Sequence, residues 1–269
     1  MSMKSFKPVD ESMNAPAFGR YVSRGFTVIE VLVAVGVIGV LIAIMLPSIS
    51  LVQESARKVV CASNTRQIGI GLNMFAQDRK DALPPSVFQP TTSLTPRSAN
   101  VSRPDLMDTV RIGEDSGFAA GDWGRWDGIG LLYSLEYLNA PNIYYCPSHR
   151  GNHSSERYEK QWDLDATSEI VSNYQFRGIG PDGEKKLYKM RANSAIVTDT
   201  LRSYEDLNHE AGFNVLHAGL SVTWADGDGS QQIMDLLLRG GNDDGNPNIV
   251  QQAWSHLDGG GSTSARPTD

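Results

Sequence analysis

From Phe26 to Leu46 the chain runs for 21 residues with Thr27 and Glu30 as its only clearly polar side chains. At about 1.5 Å of helical rise per residue, such a run can cross a ~30 Å hydrocarbon core. The pattern then changes rather than stops. From Ser48 to about Lys80, Val52, Ala56 and Val59, then Ile68, Leu72 and Phe75, recur at helical spacing, with Arg57, Lys58, Arg66 and Arg79 elsewhere. One helix in two solvents is expected: a membrane half over 26–47 and an amphipathic half over 48–83 that lies on a globular domain. Pro47 falls where they meet. Because the helical pattern resumes at once, it should kink the helix rather than end it. Gly69 and Gly71 weaken the second half by up to ~1 kcal/mol each relative to Ala, which close packing against a sheet would explain.

Pro84-Pro85 ends the long helix, and residues 86–125, rich in Ser, Thr, Pro and Gly, read as a long loop or insertion. Ile129 to Leu138 reads as a short buried helix, followed by a candidate strand around Ile143–Cys146. Residues 170–176, 187–190 and 194–198 have the alternation and β-branched content of short strands. A clearer pair follows: Phe213 to Leu216, a turn at His217-Ala218-Gly219, then Leu220 to Trp224, a hairpin. Residues 231–238 and 249–257 read as short amphipathic helices flanking the loop Gly240–Asn248. Residues 1–25, with Pro8 and Pro16, read as a disordered leader, and 259–269 as a disordered Gly/Ser-rich tail. The expected fold class is α+β: a long kinked N-terminal helix packed on the antiparallel β-sheet of a globular domain over 84–258.

Glu30 is the anomaly in the apolar run. A carboxylate near a bilayer centre costs roughly 2.5–3.5 kcal/mol, less toward an interface, and so asks for a partner. A secretory signal has a shorter apolar core with its small-residue cut site after it, whereas here Gly25 precedes a longer run. Arg24-Gly25-Phe26-Thr27-Val28-Ile29-Glu30-Val31-Leu32 closely resembles the processing and methylation segment of type IV prepilins and type II secretion pseudopilins. The resemblance implies that a prepilin peptidase cuts after Gly25, that Phe26 becomes the N-methylated terminus, and that Glu30 is the assembly carboxylate. It also implies a pilin-like arrangement of the α+β fold, with Pro47 as the helix kink. The physical logic agrees: cutting exposes a cationic amine on Phe26, which a neighbouring Glu30 can neutralise inside a water-poor helix bundle.

Two further stretches carry a resemblance to large bacterial prepilin-like proteins. One is Cys146-Pro147-Ser148 after a short helix. The other is His209-Glu210-Ala211-Gly212-Phe213-Asn214-Val215-Leu216, which resembles their C-terminal His-to-Asp-Gly segment, with His209, Gly212, Asn214 and Gly219 as its marked positions. This chain departs from that segment in its turn, where Ala218-Gly219 stands in place of Asp-Gly.

The net charge of −7 and the absence of a basic patch argue against a nucleic-acid partner. Cutting after Gly25 removes four of 24 basic and two of 31 acidic residues, leaving 20 − 29 = −9. The positive leader fits a cytoplasmic N-terminus by the positive-inside rule, which puts the rest of a single-pass chain outside the inner membrane. Cys61 and Cys146 are the only cysteines. In an exported domain a disulfide between them is expected, worth about 4 kcal/mol for so long a loop in the chain-entropy model. Two buried free thiols are the plain alternative, and zinc on Cys146, His149 and His153 with Cys61 competes for the same sulfurs. Asp226 and Asp228, with Asp243-Asp244, offer calcium-type oxygens, although a twelve-residue calcium loop counted from Asp226 ends on Leu237. No cofactor is otherwise expected. No nucleophile elbow, phosphate-cradling loop or zinc-protease motif appears, so no enzyme is expected either.

The expected function is that of a prepilin-like structural subunit of a type IV pilus or type II secretion pseudopilus. Its expected partners are the inner membrane, prepilin peptidase, and other pilin-like subunits with their machinery. Its expected location is the inner membrane, or a periplasmic or cell-surface filament. The alternative is a membrane-anchored extracytoplasmic binding or sensing domain that forms no filament.

Overall fold

A computed structural model describes residues 25–89, 102–118, 122–163, 167–239 and 246–260. The leader before Gly25, the loop carrying Asp243-Asp244 and the tail beyond residue 260 lie outside the described residues. The chain divides into two compact units, Met1–Ile49 and Ser50–Asp269.

Helix α1 spans Val28–Asp78, and its helical assignment continues through Pro47, as the resumed pattern requires. In the first unit every described side chain from Phe26 to Leu46 is exposed, and Val28–Leu46 is long and apolar enough to cross a membrane. The helix opens on a capping box. Thr27 Oγ1 accepts from the Glu30 backbone N–H at 3.3 Å, and a Glu30 carboxylate oxygen accepts from the Thr27 backbone N–H at 2.8 Å. The same oxygen accepts from the Thr27 hydroxyl at 2.8 Å.

In the second unit α1 buries a narrow stripe: Cys61, Thr65, Ile68, Leu72, Phe75 and Ala76. Their three- and four-residue spacing keeps them on one face, and each large apolar member contributes roughly 1.5–3 kcal/mol by leaving water. Val52, Ala56 and Val59, expected in the stripe, are exposed instead. They carry helical periodicity, but the packed stripe begins only at Cys61.

The segment read as a long loop contains the strand β1 (Thr109–Arg111), all of it buried. Helix α2 (Gly130–Ser134) follows, shorter than the expected 129–138. The candidate strand around Ile143–Cys146 is corrected: Pro141–Tyr144 is a 3-10 turn, with Pro141 in its first position. After α3 (Ser155–Tyr158) come β2 (Ile170–Val171), which pairs antiparallel with β1, and β3 (Tyr174–Phe176). Residues 187–190 are likewise no strand, since Leu187–Lys189 is a 3-10 turn. In both places a short apolar run bounded by polar residues mimics a strand, because periodicity over four residues does not separate the two.

The main sheet is antiparallel in the order β3-β4-β5-β6, with β4 Ala195–Asp199, β5 Phe213–His217 and β6 Val222–Ala225. The hairpin pairs Phe213 with Ala225 and Leu216 with Val222. Its turn holds Leu220 at a φ of 63°, a left-handed conformation that costs a branched side chain roughly 1–2 kcal/mol. Two helices follow, α4 (Gly227–Arg239) and α5 (Pro247–Ser255), the second capped by the Asn246 side chain.

Alternation along β5 sorts the core into two parts. Phe213 and Val215 pack with Ile233, Met234, Leu237 and Trp254 of α4 and α5. Leu216 joins the larger cluster that contains Cys61, Ile68, Leu72 and Phe75 of α1. The sheet is therefore covered by α1 on one face and by α4 and α5 on the other. A Cβ on Gly69 would lie 2.8 Å from Leu216 Cδ1, so Gly69 does allow close approach to the sheet. A Cβ on Gly71 would instead meet Leu132 of α2 at 3.2 Å.

Candidate functional site

Cys61 is the first buried residue of the α1 stripe, and it faces Asp199 at the end of β4. Its thiol donates to Asp199 Oδ1 at 3.0 Å. The Asp199 carboxylate is held from several sides. Asn208 Nδ2 donates to Oδ1 at 3.0 Å, and the Asn214 backbone N–H donates to Oδ2 at 2.5 Å. Asn214 thus has a concrete role: it lies on β5 beside the strand end that carries Asp199.

Cys146 follows the Pro141–Tyr144 turn, and its backbone N–H donates to Asn173 Oδ1 at 3.2 Å. Its sulfur lies 3.5 Å from His209 Nε2. The other ring nitrogen, Nδ1, is 2.8 Å from a Glu54 carboxylate oxygen. Ser148 Oγ donates to the two oxygens of the same carboxylate, at 3.1 and 2.9 Å. The His209 ring stands edge-on to Trp224, at 5.4 Å between ring centres. Glu54, seven residues before Cys61, lies on the same side of α1 two turns away.

The ligand-type atoms of Cys61, Cys146, Asp199 and His209 all lie within 4.8 Å of one another, and all four residues are buried. Both cysteines are free thiols, side by side. Burial pushes the Cys61 thiol well up, and contact with Cys146 and Asp199 adds to the rise. Burial also raises Cys146, but hydrogen bonds from Cys61 and His209 outweigh it and bring that thiol down to about 7. Burial pulls His209 down, while its bond with Cys146 and the charge of Asp199 lift it to about 9. For Glu54, burial is outweighed by the bonds with His209 and Ser148, which hold its carboxyl below the usual range.

A carboxylate, an imidazole and a thiol in series is an arrangement that can activate a nucleophilic sulfur. A groove of about 560 Å³ is lined by Glu54, Lys58, Arg150, His209 and Met234 among others, but by neither cysteine. The sulfurs sit behind His209, away from the groove.

The structure brings together Cys61, Cys146 and His209 from the sequence-derived set, with Asn214 supporting them. His209 is bonded to a carboxylate and a thiol. Gly212 gives room at the start of the hairpin: a Cβ there would lie 2.3 Å from the Ala225 carbonyl oxygen and 2.8 Å from the Trp224 ring. Gly219 lies in the turn, where its backbone N–H donates to the Ala192 carbonyl at 2.8 Å. His149 and His153 do not join the cysteines. His149 Nδ1 pairs with Asn208 Oδ1 at 2.9 Å and His153 Nδ1 with the Tyr158 hydroxyl at 2.8 Å. Asp226 and Asp228 are exposed where β6 passes into α4, apart from the cluster. Glu54 and Asp199 are the members that sequence reasoning passed over. Glu54 had one signal, an acid seven residues from Cys61 on the same helical face.

At the other end of the chain, Gly25 and Phe26 are exposed immediately before α1, and a Cβ on Gly25 would meet nothing within 4 Å. The segment thus presents an exposed peptide bond, an apolar helix behind it and a carboxylate at its first turn. Residues 20–46 match the family model for the prokaryotic N-terminal methylation motif. That match covers 27 of 269 residues, so it speaks for the N-terminal segment and its processing. No curated protein and no solved structure matches the chain.

Proposed function

We propose that the protein is a structural subunit of a pilin-like filament, a type IV pilus or a type II secretion pseudopilus. On this reading it is cut after Gly25, methylated on Phe26 and assembled through Glu30. The observation that carries the proposal is the methylation-motif match over residues 20–46, coincident with an exposed Gly25-Phe26 bond and an apolar helix. Its globular domain stands outside the inner membrane, and its partners are prepilin peptidase and other subunits of the same kind.

The capping box sharpens the role of Glu30. In the single chain its carboxylate is already engaged by Thr27, so a neighbour's Phe26 amine must compete with a local bond. In a filament interior, where water is scarce, a full counter-charge outweighs two neutral donors. Glu30→Gln keeps a capping acceptor and removes only the charge, whereas Glu30→Leu removes both. Both variants should insert and be cut, yet be missing from filaments sheared off cells, with wild-type chain present there. Either variant in the sheared fraction at wild-type yield would contradict an assembly role for the charge.

The groove beside His209, with Arg57, Lys58 and Arg150 on its walls, supports a second reading, a membrane-anchored binding or sensing domain. On that reading wild-type chain stays with the membrane fraction after shearing.

A further inference from the structure

We propose that Cys61, Cys146, Asp199 and His209 form a structural zinc site that ties α1, the segment after the Pro141–Tyr144 turn, the end of β4 and the entry to β5 together. The inference does not rest on the filament reading, since it concerns only the interior of the second unit.

The donor set comes first. Two sulfurs, one imidazole nitrogen and one carboxylate oxygen are what four-coordinate zinc takes, while calcium and magnesium take oxygen. Zinc bonds of about 2.0–2.3 Å place the ligand atoms of a tetrahedron about 3.3–3.8 Å apart. Cys61 Sγ to Asp199 Oδ1 is 3.0 Å and Cys146 Sγ to His209 Nε2 is 3.5 Å. All four ligand atoms lie within 4.8 Å of one another, so no gap has to close by more than about 1 Å, a movement of side-chain torsions.

The surroundings match a metal-binding histidine and carboxylate. Glu54 takes the Nδ1 side of His209, which turns Nε2 toward the sulfurs, and Ser148 fixes Glu54 in turn. Metal-bound histidines commonly hold a carboxylate on their far nitrogen in this way, which sets the tautomer and strengthens the ligand. Asn208 and the Asn214 backbone N–H in turn fix the orientation of the Asp199 carboxylate. On binding, zinc displaces to water the protons held by Cys61 and by the Cys146–His209 pair, so that both sulfurs and His209 Nε2 offer lone pairs alongside the Asp199 carboxylate. No one of the four residues is more than 4% exposed, so the site is closed and structural rather than open and catalytic.

The ligand set differs from the Cys146, His149 and His153 spacing visible in the sequence, because both of those histidines have partners elsewhere. A disulfide is the competing occupant of the same sulfurs. It would use half of the cluster and leave Asp199 and His209 buried beside an apolar cystine that needs neither. With a cystine in place Asp199 would keep Asn208 and Asn214 and His209 would keep Glu54, whereas zinc is the occupant that uses all four groups.

The full-length chain, extracted in detergent without chelator, is assayed for zinc by elemental analysis, and the reduced, metal-free chain is titrated with Zn²⁺ and with Co²⁺. The expected result is about one zinc per chain, with Co²⁺ giving the visible bands of a tetrahedral thiolate site. Cys61→Ser and His209→Gln should lose the metal, Glu54→Gln should weaken it about 10–100-fold, and His149→Gln should leave it unchanged. The wild-type measurement stands even if a variant fails to fold. A chain isolated with a Cys61–Cys146 bridge overturns the proposal, as does a reduced chain that takes up no zinc.

Discussion

Asp127 is buried between the Pro84-Pro85 turn and α2, where its Oδ1 accepts from the Val87 backbone N–H at 2.8 Å. Burial raises its carboxyl to about 7, against the lowering effect of bonds from Ser86 and Val87. In the unfolded chain an aspartate titrates near 3.9. Below about pH 4 both states are protonated and nothing is lost. As pH rises from about 4 to about 7 the unfolded chain ionises first, so stability falls across that window and levels off above it. Asp127→Asn cannot ionise and keeps an acceptor for Val87. It should therefore leave stability near pH 4 almost unchanged and raise it at pH 8, by on the order of 2–4 kcal/mol at most. Thermal unfolding of both chains at the two pH values is the check. An equal shift at both would mean that Asp127 carries its charge at little cost.

At the scale of elements, glycines show which contacts are rigid. A Cβ on Gly212 would run into the Ala225 carbonyl, a backbone atom in a paired strand, and into the Trp224 ring. The atoms nearest a Cβ on Gly69 are the terminal methyls of Leu216, the end of a side chain that can rotate away, and the helix would gain up to ~1 kcal/mol of propensity. Gly212→Ala should therefore lower stability by about 1–3 kcal/mol, while Gly69→Ala should be near neutral. Urea unfolding followed by tryptophan fluorescence separates the two, and equal midpoints would contradict the packing described for the hairpin.

The same scale explains what could be read from the sequence. α1, the β5-β6 hairpin, α4 and α5 carry periodicity long enough to name their type, and all but α4 appear close to their expected bounds; α4 begins at Gly227, four residues before the expected 231, and so takes in Asp228. β1 hid in a Ser- and Pro-rich segment because three residues hold no period, and the 3-10 turns at Pro141–Tyr144 and Leu187–Lys189 passed for strands for the same reason. The site was half legible. Cysteines and a histidine stand out by type, whereas Glu54 and Asp199 are ordinary acids until folding brings them to His209 and Cys61, 155 and 138 residues away in the chain.

At the scale of the whole molecule, an apolar helix that carries a prepilin-type N-terminus continues into a domain whose core holds a buried sulfur, carboxylate and imidazole cluster. On the proposed reading, the N-terminal segment governs how the chain is processed and where it resides. The domain has its own core and its own candidate metal, so damage at one end should leave the other intact. The measurement that bears most directly on the central claim is mass spectrometry of the N-terminus of chain purified from cells with an active prepilin peptidase. The account predicts a chain that begins with N-methylated Phe26 and lacks residues 1–25. A chain that still begins at Met1, or that starts at any residue other than Phe26, would contradict it.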